Sequence, residues 1–494
     1  MVIHPTVESD RTMEDVKVDV EGTRPDETSC SVHIDPAAEA RLLRKLDLHI
    51  CPVLFFLYFL CYLDRSNIGN AKIQGMTQDL ELDRGNRYNI ALFVFFVPYI
   101  LLEAPSNMVL HKCRPSFYLA GLVFGWGMIN MSMGLVQNFA SLVALRFLLG
   151  VFEAGLYPGI VYYTSMFYRR HEFQKRLASI FSASLIASAF SGLLAYAVGH
   201  MSGTRGFGGW RWIFIIEGSM SAAAALVTVF FIVDFPDQVT FLTAAEKELL
   251  HRRLELDNKQ NMDRLDRQSL MHIVTDYKIW MTGIILFGNG ACAYSMNAFL
   301  PTILRDLGWV ATDAQLHTVP VYLVALVFLF LGAWASDRLK HRCAFIVLPV
   351  VVAMAGYGML LGQANLSPGA KYAAVFLAIF GGYASPNALS WLMNNLVGHN
   401  RRGIGAGIAN GVGNLSGLLV SNVFFAREEP RFTTGFAVTL ACVMLIPLAS
   451  GVIEIGLWRE NRRRERGERD WRLQLPPDEV ACLADDHPRF RYTL

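Results

Sequence analysis

The chain spends most of its length in apolar runs too long for a globular core. Twelve stretches, each with about 18 or more largely apolar residues, are centred near residues 58, 98, 127, 153, 187, 221, 289, 326, 352, 382, 413 and 446. A run of that length crosses the ~30 Å hydrocarbon core as an α-helix, because lipid offers the backbone no other hydrogen-bond partner. The fold class expected is therefore an all-α membrane protein with twelve transmembrane helices. Only 17% of residues are charged and 53% are hydrophobic, with a mean hydropathy of +0.33. Soluble domains carry about 25% charge.

Basic residues set the orientation. Arg41, Arg44 and Lys45 precede the first run, Lys112 and Arg114 follow the second, and Arg169, Arg170, Lys175 and Arg176 follow the fourth. Arg338, Lys340 and Arg342, then Arg401 and Arg402, and a basic tail from Arg459 repeat the pattern in the second half. The positive-inside rule puts both termini and these loops in the cytoplasm. The longest interruption, residues 234–276, splits the chain into six helices plus six. The expected organisation is a disordered tail (1–46), a six-helix bundle (47–233), a cytoplasmic linker (234–276), a second six-helix bundle (277–459) and a cytoplasmic tail (460–494). In the linker, Thr243 and Glu246 have capping-box spacing and open an amphipathic helix. The first 40 residues are polar and acidic, without the apolar core of a cleavable signal. Eight cysteines are scattered with no paired spacing, so neither a disulfide framework nor a metal site is expected.

Inside the runs, a few charges stand out. Arg65 sits in the first run and Arg146 in the fourth. A charge at a helix centre costs about 2.5–3.5 kcal/mol on insertion scales, so it faces a cavity or a partner. At ~1.5 Å rise per residue, Arg65 stands ~25 Å above the inner surface and Arg146 ~10 Å below the outer one. The two stems thus start near one level, as a shared anion site requires. Glu153 lies seven residues beyond Arg146, on the same helix face and two turns deeper. It and Glu103 are expected to carry the coupled proton, since burial and nearby arginines pull a carboxyl in opposite directions. Plainer alternatives stand beside these: a structural cation for Arg65, a helix-end cap for Arg146, a fixed ion pair for Glu153 and packing for Glu103. The second half offers neutral polarity instead. Asn297, Tyr383, Asn387 and Asn414 are the expected contacts for the body of a substrate.

The segments YLDRSNIGNAK (62–72), EAPSNMVLHK (103–112), RFLLGVFEAGLYPG (146–159), GWRWIFIIEG (209–218) and GAWASDRLKHR (332–342) resemble the major facilitator superfamily. Within it they resemble the fungal allantoate-permease branch of the anion:cation symporters. The resemblance covers roughly residues 40–465 and implies two six-helix bundles moving a small carboxylate, usually with protons. The arginine-x-asparagine of the first run and the arginine-to-glutamate spacing of the fourth are also similar to animal organic-anion and vesicular glutamate transporters. That similarity implies substrate contact by Arg65 and Arg146 and proton coupling at Glu153, while the later loop motif implies gating by Asp337 and Arg338. The corresponding loop between the second and third runs, HKCRPS, lacks that acidic–basic gating pair.

The expected function is proton symport of a small organic anion at the plasma membrane, by a monomer in the bilayer. No catalytic cluster, nucleotide-binding pattern or nucleic-acid-binding feature is present, so an enzyme is not expected, and no cofactor is. Two alternatives remain open at this level: export of a secondary metabolite, and a nutrient sensor that binds without transport.

Overall fold

The computed structural model describes residues 35–110, 112–239, 241–259, 267–339, 341–383, 385–397, 399–474, 485 and 487–494. Its regular elements are all helical among these residues. The first half contains α1 (Pro36–Ala71), α2 (Arg87–Leu110), α3 (Pro115–Met133), α4 (Phe139–Glu153), α5 (Leu156–Phe167), α6 (Arg170–Gly199) and α7 (Gly209–Phe231). Two helices, α8 (Ala244–Lys259) and α9 (Arg267–Thr275), lie in the linker. The second half contains α10 (Tyr277–Asp306), α11 (Ala311–Leu339), α12 (Arg342–Leu361), α13 (Pro368–Ala378), α14 (Ser385–Asn394), α15 (His399–Val420) and α16 (Thr433–Glu465). Ten helical stretches among the described residues are long and apolar enough to cross a membrane. The apolar runs near 98 and 127 are helical too, as α2 and α3.

The chain is a multi-pass membrane protein, and its surface shows why. Leu101, Met108, Phe230 and Leu448 are each at least 66% exposed. Leaving such a side chain in water forfeits about 1.5–3 kcal/mol of burial, so hydrocarbon is the solvent these faces fit. Inside each half, α3 packs along α7, α1 along α6, and α10 along both α15 and α16. Between the halves, α6 packs along α11, α2 along α15 and α1 along α10.

Two boundaries differ from expectation. Asp35 caps α1 by accepting from the Ala37 and Ala38 amides, so the helix begins at Pro36 and residues 36–46 are not tail. Leu42 and Leu46, both fully buried, hold this extension in place. At the other end α16 continues to Glu465, and the chain then folds back. The Thr493 amide donates to Asn395 Oδ1 at 2.8 Å, and Trp391 Nε1 donates to the Thr493 carbonyl at 2.9 Å.

The linker helix α8 is fastened to the first half. Arg253, 1% exposed, donates to Glu39 at 2.9 Å and to Glu172 at 2.5 Å. The capping box forms as read: the Glu246 amide donates to Thr243 Oγ1 and the Thr243 amide to Glu246 Oε2. The Lys45 ammonium, 2.5 Å from Glu246, holds that carboxyl below its usual range.

Two membrane passages are broken midway. The fourth passage stops at Glu153, turns at Ala154-Gly155 and resumes as α5. A Cβ on Gly155 would sit 2.2 Å from Ser106 Oγ and 2.7 Å from the Leu122 side chain, so any larger residue would force these neighbours to shift. In the second half α13 gives way to a 3₁₀ turn, Ile379–Tyr383, before α14. Broken helices at matching places in two halves are what transporters use to build midplane sites.

Candidate substrate site

Five helices, α1, α2 and α4 from one half and α10 and α15 from the other, enclose a cavity of about 50 Å³. Its lining includes Arg65, Arg146, Phe95, Phe96, Tyr294 and Asn297. The halves meet tightly here. A Cβ on Gly69 would lie 2.9 Å from the Asn297 carbonyl oxygen, and one on Gly417 would lie 2.2 Å from the Phe96 ring. Both arginines therefore face one space, as the depth estimate required.

Their surroundings differ. Arg65 Nε donates to Glu153 Oε2 at 2.6 Å, and the Cys61 thiol donates to the same oxygen at 3.5 Å. The guanidinium carbon of Arg65 lies 4.6 Å from the Tyr99 ring centre and 5.3 Å from those of Tyr62 and Phe95. Asp64, its neighbour in sequence, points elsewhere and accepts from Trp126, Asn130 and Ser221. Arg146 is 2% exposed, and its Nε and Nη2 have no hydrogen-bond partner. Glu153 Oε1 and Asn297 Oδ1 are buried without a partner as well. Leaving a buried charged donor unpaired costs several kcal/mol, so the arrangement favours an anion at Arg146.

Glu153 is thus paired to α1 rather than to the arginine on its own helix face. Spacing along one helix could not reveal that, since the partner comes from a helix crossing it. Glu103 accepts from Asn410 Nδ2 at 3.3 Å and from Asn414 Nδ2 at 3.1 Å, and Tyr294 donates to Asn414 Oδ1 at 3.2 Å. A carboxylate of one half is held by two amides of the other.

Of the expected contacts in the second half whose side chains are described, Asn297 alone lines the cavity. Asn414 is spent on Glu103 and Tyr294. Asn387 lies beyond the helix break, where its Oδ1 accepts from the Arg342 guanidinium at 3.5 Å, and it is not among the residues lining the cavity. The side chains of Tyr383 and Asp337 lie outside the described residues, while Arg338 is exposed over the Trp334 ring at 5.7 Å.

One set of bonds between the halves was not anticipated. Lys72 Nζ donates to Glu429 Oε1 at 2.6 Å across the halves. Nearby, Gln74 donates to Gln315, Gln315 to the Asn70 carbonyl, Tyr88 to the Ala298 carbonyl and Asn89 to the Phe424 carbonyl. The available signal was periodicity: Lys72 is seven residues beyond Arg65, on the same helix face.

A helical membrane protein with a charged midplane cavity between two halves and broken helices beside it is a carrier. Residues 54–421 match the Major Facilitator Superfamily, and the chain belongs to it. It is 34% identical over 469 residues to an uncharacterized transporter of Schizosaccharomyces pombe, covering 94% of this chain and 92% of that one. It is 33% identical over 460 residues to the high-affinity nicotinic acid transporter of Saccharomyces cerevisiae, covering 92% and 85% of the two chains. Among solved structures it is similar to a bacterial homologue of the human lysosomal transporter Spinster, inward-facing and occupied. That match has a TM-score of 0.60 at 15% identity, covering 85% of this chain and 96% of the other. The protein is a secondary-active transporter of this superfamily and not an enzyme.

Proposed function

We propose that the protein is a proton-coupled importer of a small organic monocarboxylate at the plasma membrane, in the allantoate-permease branch. The observation that carries this reading is Arg146, a buried guanidinium facing the cavity with Nε and Nη2 unpaired. A planar carboxylate matches that fork in a bidentate way. Arg65 is already balanced by Glu153, so one guanidinium remains for one carboxylate. Phe95, Phe96 and Tyr294 suit a flat apolar body, and Asn297 Oδ1 suits a donor on it. Nicotinate is the first candidate, because a relative bears its name.

Coupling follows from competition for Arg65. With Glu153 ionised, the pair is closed; with Glu153 protonated, Arg65 is free to join Arg146 on the carboxylate. Proton and anion then favour each other's binding, the differential binding that coupling requires. In this reading the ten apolar stretches, together with α2 and α3, form twelve passages in two bundles, 36–233 and 277–459, around a 234–276 linker. The bundles rock about the cavity, and the bonds around Lys72 close it toward the outside.

The test is uptake of labelled nicotinate and other small carboxylates in transport-deficient yeast at pH 5 and pH 7. Accumulation that is greater at pH 5 is expected. Binding without accumulation, or energy-dependent loss of preloaded label, would overturn import.

A further inference from the structure

Seven residues beyond Arg65, and two turns nearer the outer face, Lys72 is only 6% exposed. Its ammonium lies 4.8 Å from the Tyr88 ring centre and 5.8 Å from those of Phe299 and Phe432. These rings come from α2, α10 and the start of α16, so both halves build the box. Aromatic faces stabilise a cation without neutralising it. Neutralisation comes from Glu429, whose second oxygen is 3.4 Å from Arg305, itself paired to Asp306 at 2.8 Å. The four charges sum to zero, and Glu429 remains about one-third exposed.

The backbone is irregular on both sides of this contact. The helix kinks just beyond Lys72, where Gln74 (φ −95°, ψ 21°) and Gly75 (φ +106°, ψ −6°) leave helical geometry. Phe432 sits at φ 42°, ψ 42°, a left-handed conformation uncommon for a bulky residue, and its ring is fully buried beside Lys72. Two turns back from Lys72 along the same helix face, Arg65 lines the cavity together with Arg146.

We propose that Lys72 is the outer reception point for the transported carboxylate: an anion arriving from outside replaces Glu429 on the ammonium, releases the outer seal and passes inward to Arg146. This rests on the anion reading of the cavity. A lysine suits the exchange because its ammonium is a point charge on a flexible stem, with no fixed fork to satisfy. A buried ammonium does not tolerate being left alone, so the latch opens when another anion takes the place of Glu429.

The test separates a reception point from a mere latch. Full-length Lys72→Gln, Lys72→Arg and Glu429→Gln are compared for uptake of the screened carboxylates, nicotinate first. Each is also made with Ser421→Cys, which places a thiol in the cavity lining, and probed from outside with a membrane-impermeant maleimide. Labelling is compared with the same chain lacking the added thiol. Glu429→Gln is expected to label at least threefold faster and to lower KM about threefold, because the competitor is gone. Lys72→Gln is expected to label faster too, yet to raise KM at least tenfold with kcat changed less, and Lys72→Arg to recover most of that loss. If both neutral variants shift KM in the same direction, or Lys72→Gln keeps the parental KM, the contact is only a latch. Should Lys72→Gln fail to reach the surface, a Glu429→Gln KM at or above the parental value overturns the proposal by itself. A wild-type chain that takes up none of the carboxylates overturns the anion reading and this inference together, whereas wild-type uptake with unchanged variants overturns this inference alone.

Discussion

At mid-membrane the two halves of this transporter are chemically unlike. The first presents Arg65, Arg146, Glu153 and Glu103; the second answers with Asn297, Tyr294, Asn410 and Asn414. Charges demand partners in a low-dielectric interior, whereas amides only prefer them. Under the proposed function, the charged half fixes what is bound and when a proton moves. The neutral half shapes the cavity and lets go without stranding a charge, which suits a surface that separates in each cycle. Among the described residues, Lys72 with Glu429 places opposite charges across the divide in that region.

The sharpest way to break this contrast is to remove the unpaired charge. Arg146→Ala is expected to lower kcat/KM for uptake at least 30-fold, since truncating one member of a buried charge pair costs about 2–5 kcal/mol and 1.4 kcal/mol is tenfold. Arg146→Lys keeps the charge but loses the fork, and recovers only part of the activity. Asn297→Ala, on the neutral half, is expected to cost about tenfold at most, the scale of one hydrogen bond. Initial rates normalised to surface expression check the order; equal losses at the two positions would dissolve the contrast.

Glu153→Gln tests whether the charged half carries the proton. The amide cannot ionise, so Arg65 is permanently released and uptake is expected to lose its rise between pH 7 and pH 5. Rates at pH 7 in this variant are expected within about threefold of its own rates at pH 5, while the parent differs by more. A parental pH profile in Glu153→Gln would assign the proton elsewhere. Counterflow exchange, which needs no net proton movement, is expected to survive the substitution.

Glu103 is the one carboxylate that the first half lends to the second. Glu103→Gln keeps two acceptor or donor positions for Asn410 and Asn414, so binding is expected to change little. The amide–amide contact lacks charge assistance, and a weaker clamp alters how readily the halves part. The expected signature is a severalfold change in kcat with KM held within about twofold, read from concentration-dependent uptake. A large KM change would instead move Glu103 into the binding site.

Much of this contrast was legible along the chain because lipid makes sequence patterns obligatory. Arg65, Arg146 and Glu153 stood out since charge in an apolar run is costly, and depth along a helix is simple arithmetic. Asn387 and Asn414 do not line the cavity for the complementary reason: an amide in a membrane helix is cheap, so its presence does not say which way it faces. The break after Glu153 and the matching turn at Ile379–Tyr383 also shift residues off the face that a straight helix would give them. The pairings of Glu153 with Arg65, and of Lys72 with Glu429, join segments 88 and 357 residues apart. Only tertiary structure brings them together.

The charged character of the first half extends to the end where α8 is held by ion pairs, and there the smallest effect is expected. Lys45 and Glu246 form a pair that is partly open to solvent, with side-chain exposures of 44% and 21%. Screening limits such pairs to about 0.2–1 kcal/mol. The Lys45 contact lowers the Glu246 carboxyl pKa, so the unfolded chain binds this proton more readily than the folded one. The stabilisation is then fully present above the ordinary glutamate pKa of about 4.3 and is lost as pH falls through the lower folded value. Glu246→Gln is expected to lower the melting temperature of detergent-solubilised protein by a degree or two at pH 7, and by nothing measurable once acid has protonated Glu246 in the parent. Transport is expected to remain at the parental rate, because the pair fastens the linker to one half and touches neither the cavity nor the seal. A loss of transport with an unchanged melting temperature would mean that α8 takes part in the movement of the halves, and that the charged half works through more than its midplane residues.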